Sequence, residues 1–267
     1  MAQIHPKVHF IGNLLLFICA IISSCKKPEP DIPLLEVEID ACANSVFDST
    51  KILFQNNSIL LYGGEADSQH FDITDWSLNA CQLRFGLSRE YFPAVRSPKY
   101  ATVNEESNNY APDARFILVE GNPAKAYSID LLVKHEVVND TINGDPILVG
   151  YCVLADLAAV YSRVYCDSVF TFGLSGYTYH DPAFYGNIES FVMWDRETES
   201  LWWPLADKAV SGRMKDMSLE KYPEIKWREV IWSEIKTEYP NARVLARNIE
   251  VLAPVDWSIY YDQLSCP

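Results

Sequence analysis

Two runs of β-forming residues on either side of Asn143-Gly144 constrain the fold of this chain more than any other stretch. Val137, Val138 and Ile142 lead into the pair, and Pro146-Ile147-Leu148-Val149-Gly150-Tyr151-Cys152 leads out. A two-residue turn that matches the twist of its strands needs positive φ at both central positions, which Asn and Gly adopt most readily. The stretch therefore predicts an antiparallel hairpin. Shorter runs read as strands too. Residues 34–39 alternate, and Ile52-Leu53-Phe54 and Ile59-Leu60-Leu61-Tyr62 run up to a turn at Gly63-Gly64. Ile117-Leu118-Val119 is closed by Gly121-Asn122-Pro123. Residues 160–165 and 169–172 continue the pattern, the latter ending at Gly173 and Gly176, and Val244-Leu245 adds one more. Pro93, Pro98 and Pro112, with Asn108-Asn109, make residues 92–113 an irregular connection. Helix signals are few. Residues 128–133 predict a short helical turn feeding His135. Over residues 227–239, Val230, Ile231, Glu234 and Ile235 recur at helical spacing, and Pro240 stops the run. The fold class is α+β, a mainly antiparallel β core with few helices.

The first twenty-four residues stand outside that fold. Lys7 is the charged residue of an n-region, no acidic residue occurs before Glu29, and an apolar run over residues 14–22 is too short for a permanent membrane span. The run ends in Ile22-Ser23-Ser24-Cys25, which resembles the bacterial lipobox: small residues admit the peptidase, and the thiol receives the acyl chain. Residues 1–24 are thus expected to be a lipoprotein signal peptide, with Cys25 lipidated. Two or three acyl chains hold a protein to a membrane far more firmly than one. Lys26-Lys27-Pro28-Glu29-Pro30 begins a polar linker over residues 25–34. Residue 26 is Lys rather than Asp, so the expected destination is the outer membrane of the cell envelope. A β-rich region over residues 35–90, a main domain over 91–250 and a tail over 251–267 complete the expected organisation.

Charge narrows the partners. Lys7 is the only charged residue in the signal, so its removal moves the net charge from −14 to −15. Such an acid excess repels phosphate backbones, and nucleic acid is not an expected partner. Beyond the membrane reached through the lipid anchor, a protein partner or small ligand fits the balance. Of the seven cysteines, Cys19 leaves with the signal and Cys25 is acylated, leaving Cys42, Cys81, Cys152, Cys166 and Cys266. The envelope permits disulfides, and an odd number leaves at least one thiol unpaired. Cys152 is the preferred unpaired one; the pairing of the rest is open.

From about residue 71 to residue 247 several blocks occur in a distinctive order. They are Phe92-Pro93-Ala94 with Pro98-Lys99-Tyr100; His135-Glu136-Val137-Val138-Asn139-Asp140; Tyr151-Cys152; Phe172-Gly173-Leu174-Ser175-Gly176; and Asp195-Arg196-Glu197-Thr198-Glu199-Ser200-Leu201-Trp202. In these blocks the chain resembles the bacterial family catalogued as domain of unknown function 3179. The resemblance implies a Tyr-Cys-Pro-Leu-Cys block beside the His-Glu string, an arrangement suited to a metal or a thiol-redox pair. Here the second cysteine is replaced by Ala155, which can neither ligate a metal nor resolve a disulfide. The segment over residues 177–188 is longer than the resemblance leads one to expect, and its His180 and Asp181 are candidate replacement ligands.

The candidate residues carry opposed readings. His135 and Glu136 are adjacent, so in a strand they face opposite sides and share a site only if the backbone bends there. His135 is either an acid/base or soft-metal ligand or a hydrogen-bonded structural histidine. Catalytic candidates are His135, Glu136 and Cys152. Metal candidates are His135, Cys152 and His180, with a copper or zinc ion as the cofactor they would take. Asn139 and Asp140 are expected to hold backbone amides near the hairpin turn. Asp195, Arg196 and Glu199 are expected to form an ion-pair network fixing a loop. Trp202-Trp203-Pro204 lines a cleft or wedges into the core. Gly173-Leu174-Ser175-Gly176 is not a nucleophile elbow, because Tyr177 stands where the closing glycine belongs. Two functions remain: a ligand- or partner-binding envelope lipoprotein with a degenerate cysteine site, and a metal-binding or thiol-redox protein using Cys152 and His135.

Overall fold

The computed structural model describes Cys42 and residues 47–181, 188–222 and 227–252. The expected signal, lipidation site, linker, strand over 34–39 and most of the C-terminal tail lie outside the described residues.

Strands β1 (Ile52–Gln55), β2 (Ser58–Leu61) and β3 (Phe71–Asp72) form an antiparallel meander. There follow β4 (Leu83–Phe85), β5 (Tyr100–Thr102), β6 (Arg115–Val119), β7 (Lys125–Ser128) and helix α1 (Ile129–His135). Strands β8 (Val137–Ile142), β9 (Asp145–Cys152) and β10 (Leu157–Ser162) make a second sheet in the order β10-β9-β8. A two-stranded ribbon, β11 (Val164–Tyr165) with β12 (Ser168–Val169), precedes β13 (Phe172–His180), β14 (Glu189–Asp195), β15 (Leu201–Trp203) and β16 (Lys208–Ser211). The chain then runs through β17 (Trp227–Ile231), helix α2 (Trp232–Glu238) and β18 (Arg243–Leu245). Two five-stranded sheets result, β16-β15-β14-β13-β4 and β17-β6-β7-β18-β5. Among the described residues the named strands pair antiparallel, except β18 with β7. The described residues are mainly antiparallel β with two α-helices, which agrees with the β-dominated class read from the sequence.

The hairpin at the centre has the geometry its turn residues require. Ile142 pairs with Asp145 across two residues, and Asn143 and Gly144 have φ of 50° and 99°. Its strands are apolar on both faces because both faces are covered. Leu148 and Cys152 point into one core with Phe172, Met193 and Trp202; Ile147, Val149 and Tyr151 point into another with Val119, Tyr127 and Leu132. Strand β8 divides its residues likewise, Val137 to the first core and Val138 to the second. The far face of β13–β16 packs Tyr179, Trp194 and Trp203 against Ile52, Leu61 and Phe71 of the first meander. Trp202 and Trp203 are both buried, their indole N–H groups bonded to Asp195 Oδ2 and Ser190 Oγ at 2.8 and 2.7 Å. They belong to the core rather than to a cleft.

Two expectations about secondary structure need correction. The helix expected over residues 227–239 forms only from Trp232. Trp227–Ile231 instead pairs with Arg115–Val119, because a strand edge more than a hundred residues away supplies backbone partners that local helical spacing cannot reveal. From Trp232 the expected pattern holds, with Trp232 and Ile235 fully buried three residues apart. The strand expected to end at Gly173 and Gly176 runs through both to His180. An irregularity between Leu174 and Thr178 absorbs Gly176, whose φ is 85° and whose Cα closely faces the Leu87 carbonyl.

Candidate functional site

The site builds outward from the end of α1. The helix closes with the Glu136 N–H bonded to the Leu132 carbonyl, and Glu136 takes φ 53°, ψ −30°, a position where glycine is the usual residue. The backbone therefore bends at the junction where adjacent residues in a strand would have diverged. His135 ends the helix, and its Nδ1 lies 2.8 Å from the Pro93 carbonyl. A carbonyl only accepts, so Nδ1 carries the proton and Nε2 is the basic nitrogen. Glu136 turns towards the β9–β10 turn, and the Tyr151 N–H bonds its backbone carbonyl at 2.8 Å. Burial pushes its carboxyl up to about 7, against the pull of a backbone hydrogen bond from Val153.

Cys152 ends β9 beside that carboxyl. It is 4% exposed and is the free cysteine among the described residues, as preferred from the sequence. Cys42 pairs with Cys81, and Cys166 is also disulfide-bonded. Burial pushes the Cys152 thiol up. Backbone hydrogen bonding from Phe191, Ala155 and Leu154 offsets part of that rise, and the Glu136 carboxylate adds to it. A buried thiol facing a carboxylate is a poor nucleophile, since the thiolate is the reactive form. Around this pair the side chains of Val153, Leu154 and Leu157 are exposed.

The expected metal set is not assembled. Among the described residues no group of three His, Cys, Asp or Glu side chains is placed to hold a metal ion. No hydrogen bond joins His135 to Cys152 among the described residues, and His180 Nδ1 lies 3.4 Å from Arg84 Nη2, a cation that competes with any metal. Ala155 stands where the resemblance implied a second thiol. One thiol without further donors does not fit the closed tetrahedral set of a structural zinc or copper site.

Asn139 and Asp140 do more distant work than turn capping. Asn139 is buried and mimics a strand partner: its Oδ1 accepts from the Phe172 N–H at 2.8 Å, and its Nδ2 donates to the Phe172 and Val95 carbonyls at 2.8 and 3.3 Å. It ties β8 to the start of β13. Asp140 faces the other core, where its carboxylate accepts from Lys125 Nζ at 2.8 Å, from the hydroxyls of Tyr127 and Tyr100, and from the adjacent Thr141 N–H at 2.7 Å.

The 195–199 segment is a knot of hydrogen bonds and ion pairs. Asp195 is fully buried and accepts from the Thr198 N–H at 2.6 Å, from Thr198 Oγ1 at 2.8 Å and from the Trp202 indole at 2.8 Å. Burial pushes its carboxyl up to about 6 despite those donors. Glu197, pushed up to about 7 by burial, accepts from the Thr171 N–H at 2.7 Å. Arg196 pairs with Glu90, and Arg89 pairs with Glu199 at 2.7 Å while lying 3.5 Å above the Trp194 ring centre. Glu90, Arg89 and Tyr127 carry no local sequence signal, and Tyr100 stands out only as part of the Pro98-Lys99-Tyr100 block; their distant partners make them notable.

Apart from Cys42, Cys81 and Arg84, which precede it, these residues fall within one stretch that matches a known family model. The model for the family described as Protein of unknown function (DUF3179) matches residues 89–253. The chain belongs to that family. The matched stretch starts later and ends later than the 71–247 over which the sequence blocks were read, so β1–β4 precede it. No curated protein and no solved structure matches the chain.

Proposed function

We propose that this member of the DUF3179 family is an envelope-anchored lipoprotein whose domain binds a small ligand or a protein partner. In this reading the family's paired-cysteine site is degenerate. The carrying observation is the state of Cys152: it is buried, its thiol is pushed up by burial and by Glu136, and Ala155 occupies the place of a second thiol. A site so arranged lacks the exposed, low-pKa thiolate of redox centres and the donor number of a metal centre.

The anchor rests on the order of the first residues: a basic start, the apolar run over 14–22, and Ile22-Ser23-Ser24-Cys25 followed by the polar linker. Lys26 favours the outer membrane. An acidic surface of this size suits a protein held by acyl chains rather than by basic contacts to headgroups.

Two measurements on the full chain test the reading. In cells fed an alkynyl fatty acid, the wild type is expected to take up label and fractionate with outer membranes, and Cys25→Ser to lose both. Absence of label from the wild type would remove the anchor from the account. In the purified protein, the Cys152 thiol is expected to react with a disulfide reagent at least about tenfold faster after unfolding than before it, as burial demands. Equal rates would restore the thiol-redox reading built on Cys152 and His135.

A further inference from the structure

Strand β9 has the family cysteine at its end and a different feature at its beginning. Its eight residues place the two roughly 24 Å apart at about 3.4 Å per step. There, the β6–β7 turn, the Asn143 turn of the hairpin and the chain leaving α2 surround an open groove of about 680 Å³. That size falls within the range of small-molecule sites. The Asn122 N–H donates to Asn143 Oδ1 at 2.9 Å, which fixes two of the three walls against each other.

The chemistry of the lining excludes most ligand classes. Glu120 and Glu238 line the groove; the cation beside it, Arg228, is paired with Glu234 and lies 3.9 Å from the Glu238 carboxylate, so the acids outnumber it and phosphates and other anions are disfavoured. Metal ions are poorly served, because no three-donor acidic, His or Cys group occurs among the described residues. A purely apolar ligand would strip water from two carboxylates and three amides without replacing it. Those amides are Asn122, Asn143 and Asn241; Asn122 and Asn241 each carry an acceptor and two donors, while Asn143, whose Oδ1 already accepts from the Asn122 N–H, keeps its two donors and a second lone pair. Beside them Pro123, Pro240 and the half-buried Tyr239 line the groove with ring C–H surface. Side-chain amides and carboxylates that bond hydroxyls, next to rings that cover C–H faces, suit a neutral polyhydroxylated ligand. The open form lets a chain of such units lie across the surface.

We propose that this groove binds a neutral oligosaccharide, with Asn122, Asn143 and Asn241 bonding its hydroxyls and Tyr239 covering one sugar face. The proposal deepens the binding reading above, but it rests neither on the lipid anchor nor on the state of Cys152. Labelling of Cys25 and reactivity of Cys152 can therefore succeed or fail independently of it.

The test uses the full chain in a sugar-free zwitterionic detergent, titrated calorimetrically with maltohexaose, cellohexaose, chitohexaose and, as an acidic control, hexagalacturonate. At least one neutral hexasaccharide is expected to bind. Asn241→Ala, at an exposed position, is expected to weaken it by about tenfold, the effect of losing hydrogen bonds at one side chain. Tyr239→Ala is expected to weaken it as much, and both variants should keep the wild-type melting temperature within a few degrees; if Tyr239→Ala melts lower, Asn241→Ala decides. Hexagalacturonate should not bind. Binding of none of the neutral probes, binding unchanged in Asn241→Ala, or tighter binding of the acidic probe would each overturn the proposal.

Discussion

Replacing Glu136 by Gln removes a charge and keeps the acceptor that faces the Val153 N–H, so it isolates the effect of burying this carboxyl. An ordinary glutamate titrates near 4.5, and burial brings Glu136 to about 7. The gap corresponds to roughly 3 kcal/mol of differential stability between protonated and charged forms. The sign follows from which state holds the proton. Between pH 4.5 and 7 the unfolded chain has released it while the folded chain retains it, so wild-type stability falls as pH rises through that window. Below 4.5 both states are protonated and the Gln variant gains nothing. Above about 7 the whole penalty applies, and the variant is expected to be more stable by about 3 kcal/mol. Asp195 and Glu197, also pushed up by burial, titrate in both proteins and cancel in the difference. The assay is guanidinium unfolding of the full chain in detergent at pH 4, 5, 6, 7 and 8, followed by fluorescence of the buried tryptophans Trp194, Trp202, Trp203 and Trp232. A difference between variant and wild type that stays constant across that range would refute the placement of Glu136.

Three further outcomes follow from named contacts. Cys81→Ser opens a bridge that closes a loop of 39 residues, and the chain-entropy relation gives a loss of about 4 kcal/mol, readable as a lower denaturation midpoint than that of oxidised wild type; an unchanged midpoint would refute it. Asn139→Leu fills the same space but leaves the Phe172 N–H and carbonyl without their bonds. It should cost about 3 kcal/mol in the same unfolding assay, and a loss under about 1 kcal/mol would show that water replaces the side chain. Glu136→Gly relieves the positive φ at the end of α1 as well as the buried charge, so at pH 8 it should not fall below Glu136→Gln in thermal stability despite glycine's greater freedom when unfolded.

The parts of the fold visible in the sequence are those whose causes are local. Asn143-Gly144 announced its hairpin because two positive φ values are a property of those two residues. The apolar runs of β8 and β9 announced strands covered on both faces. The segment over residues 227–239 misled because Val230 and Ile231 satisfy a helical spacing and a strand equally, and β6 decided between them. The site was half legible. His135, Glu136 and Cys152 stood out by residue type and order, yet adjacency in a presumed strand set His135 and Glu136 on opposite sides. The bend at Glu136 then joined the carboxyl, rather than the imidazole, to the thiol. Nothing in the sequence linked Glu90 to Arg196, Arg89 to Glu199 or Tyr100 to Asp140. Those pairs lie 106, 110 and 40 residues apart, and only the folded sheets bring them together.

The most direct test of the degenerate-site account is metal titration of the full chain, purified under reducing conditions and dialysed separately against Zn(II) and Cu(I), with Cys152→Ser and His135→Ala alongside. The account predicts that all three proteins retain the same sub-stoichiometric amount of metal. One ion per chain in the wild type, lost in both variants, would contradict it and establish a metal centre on Cys152 and His135.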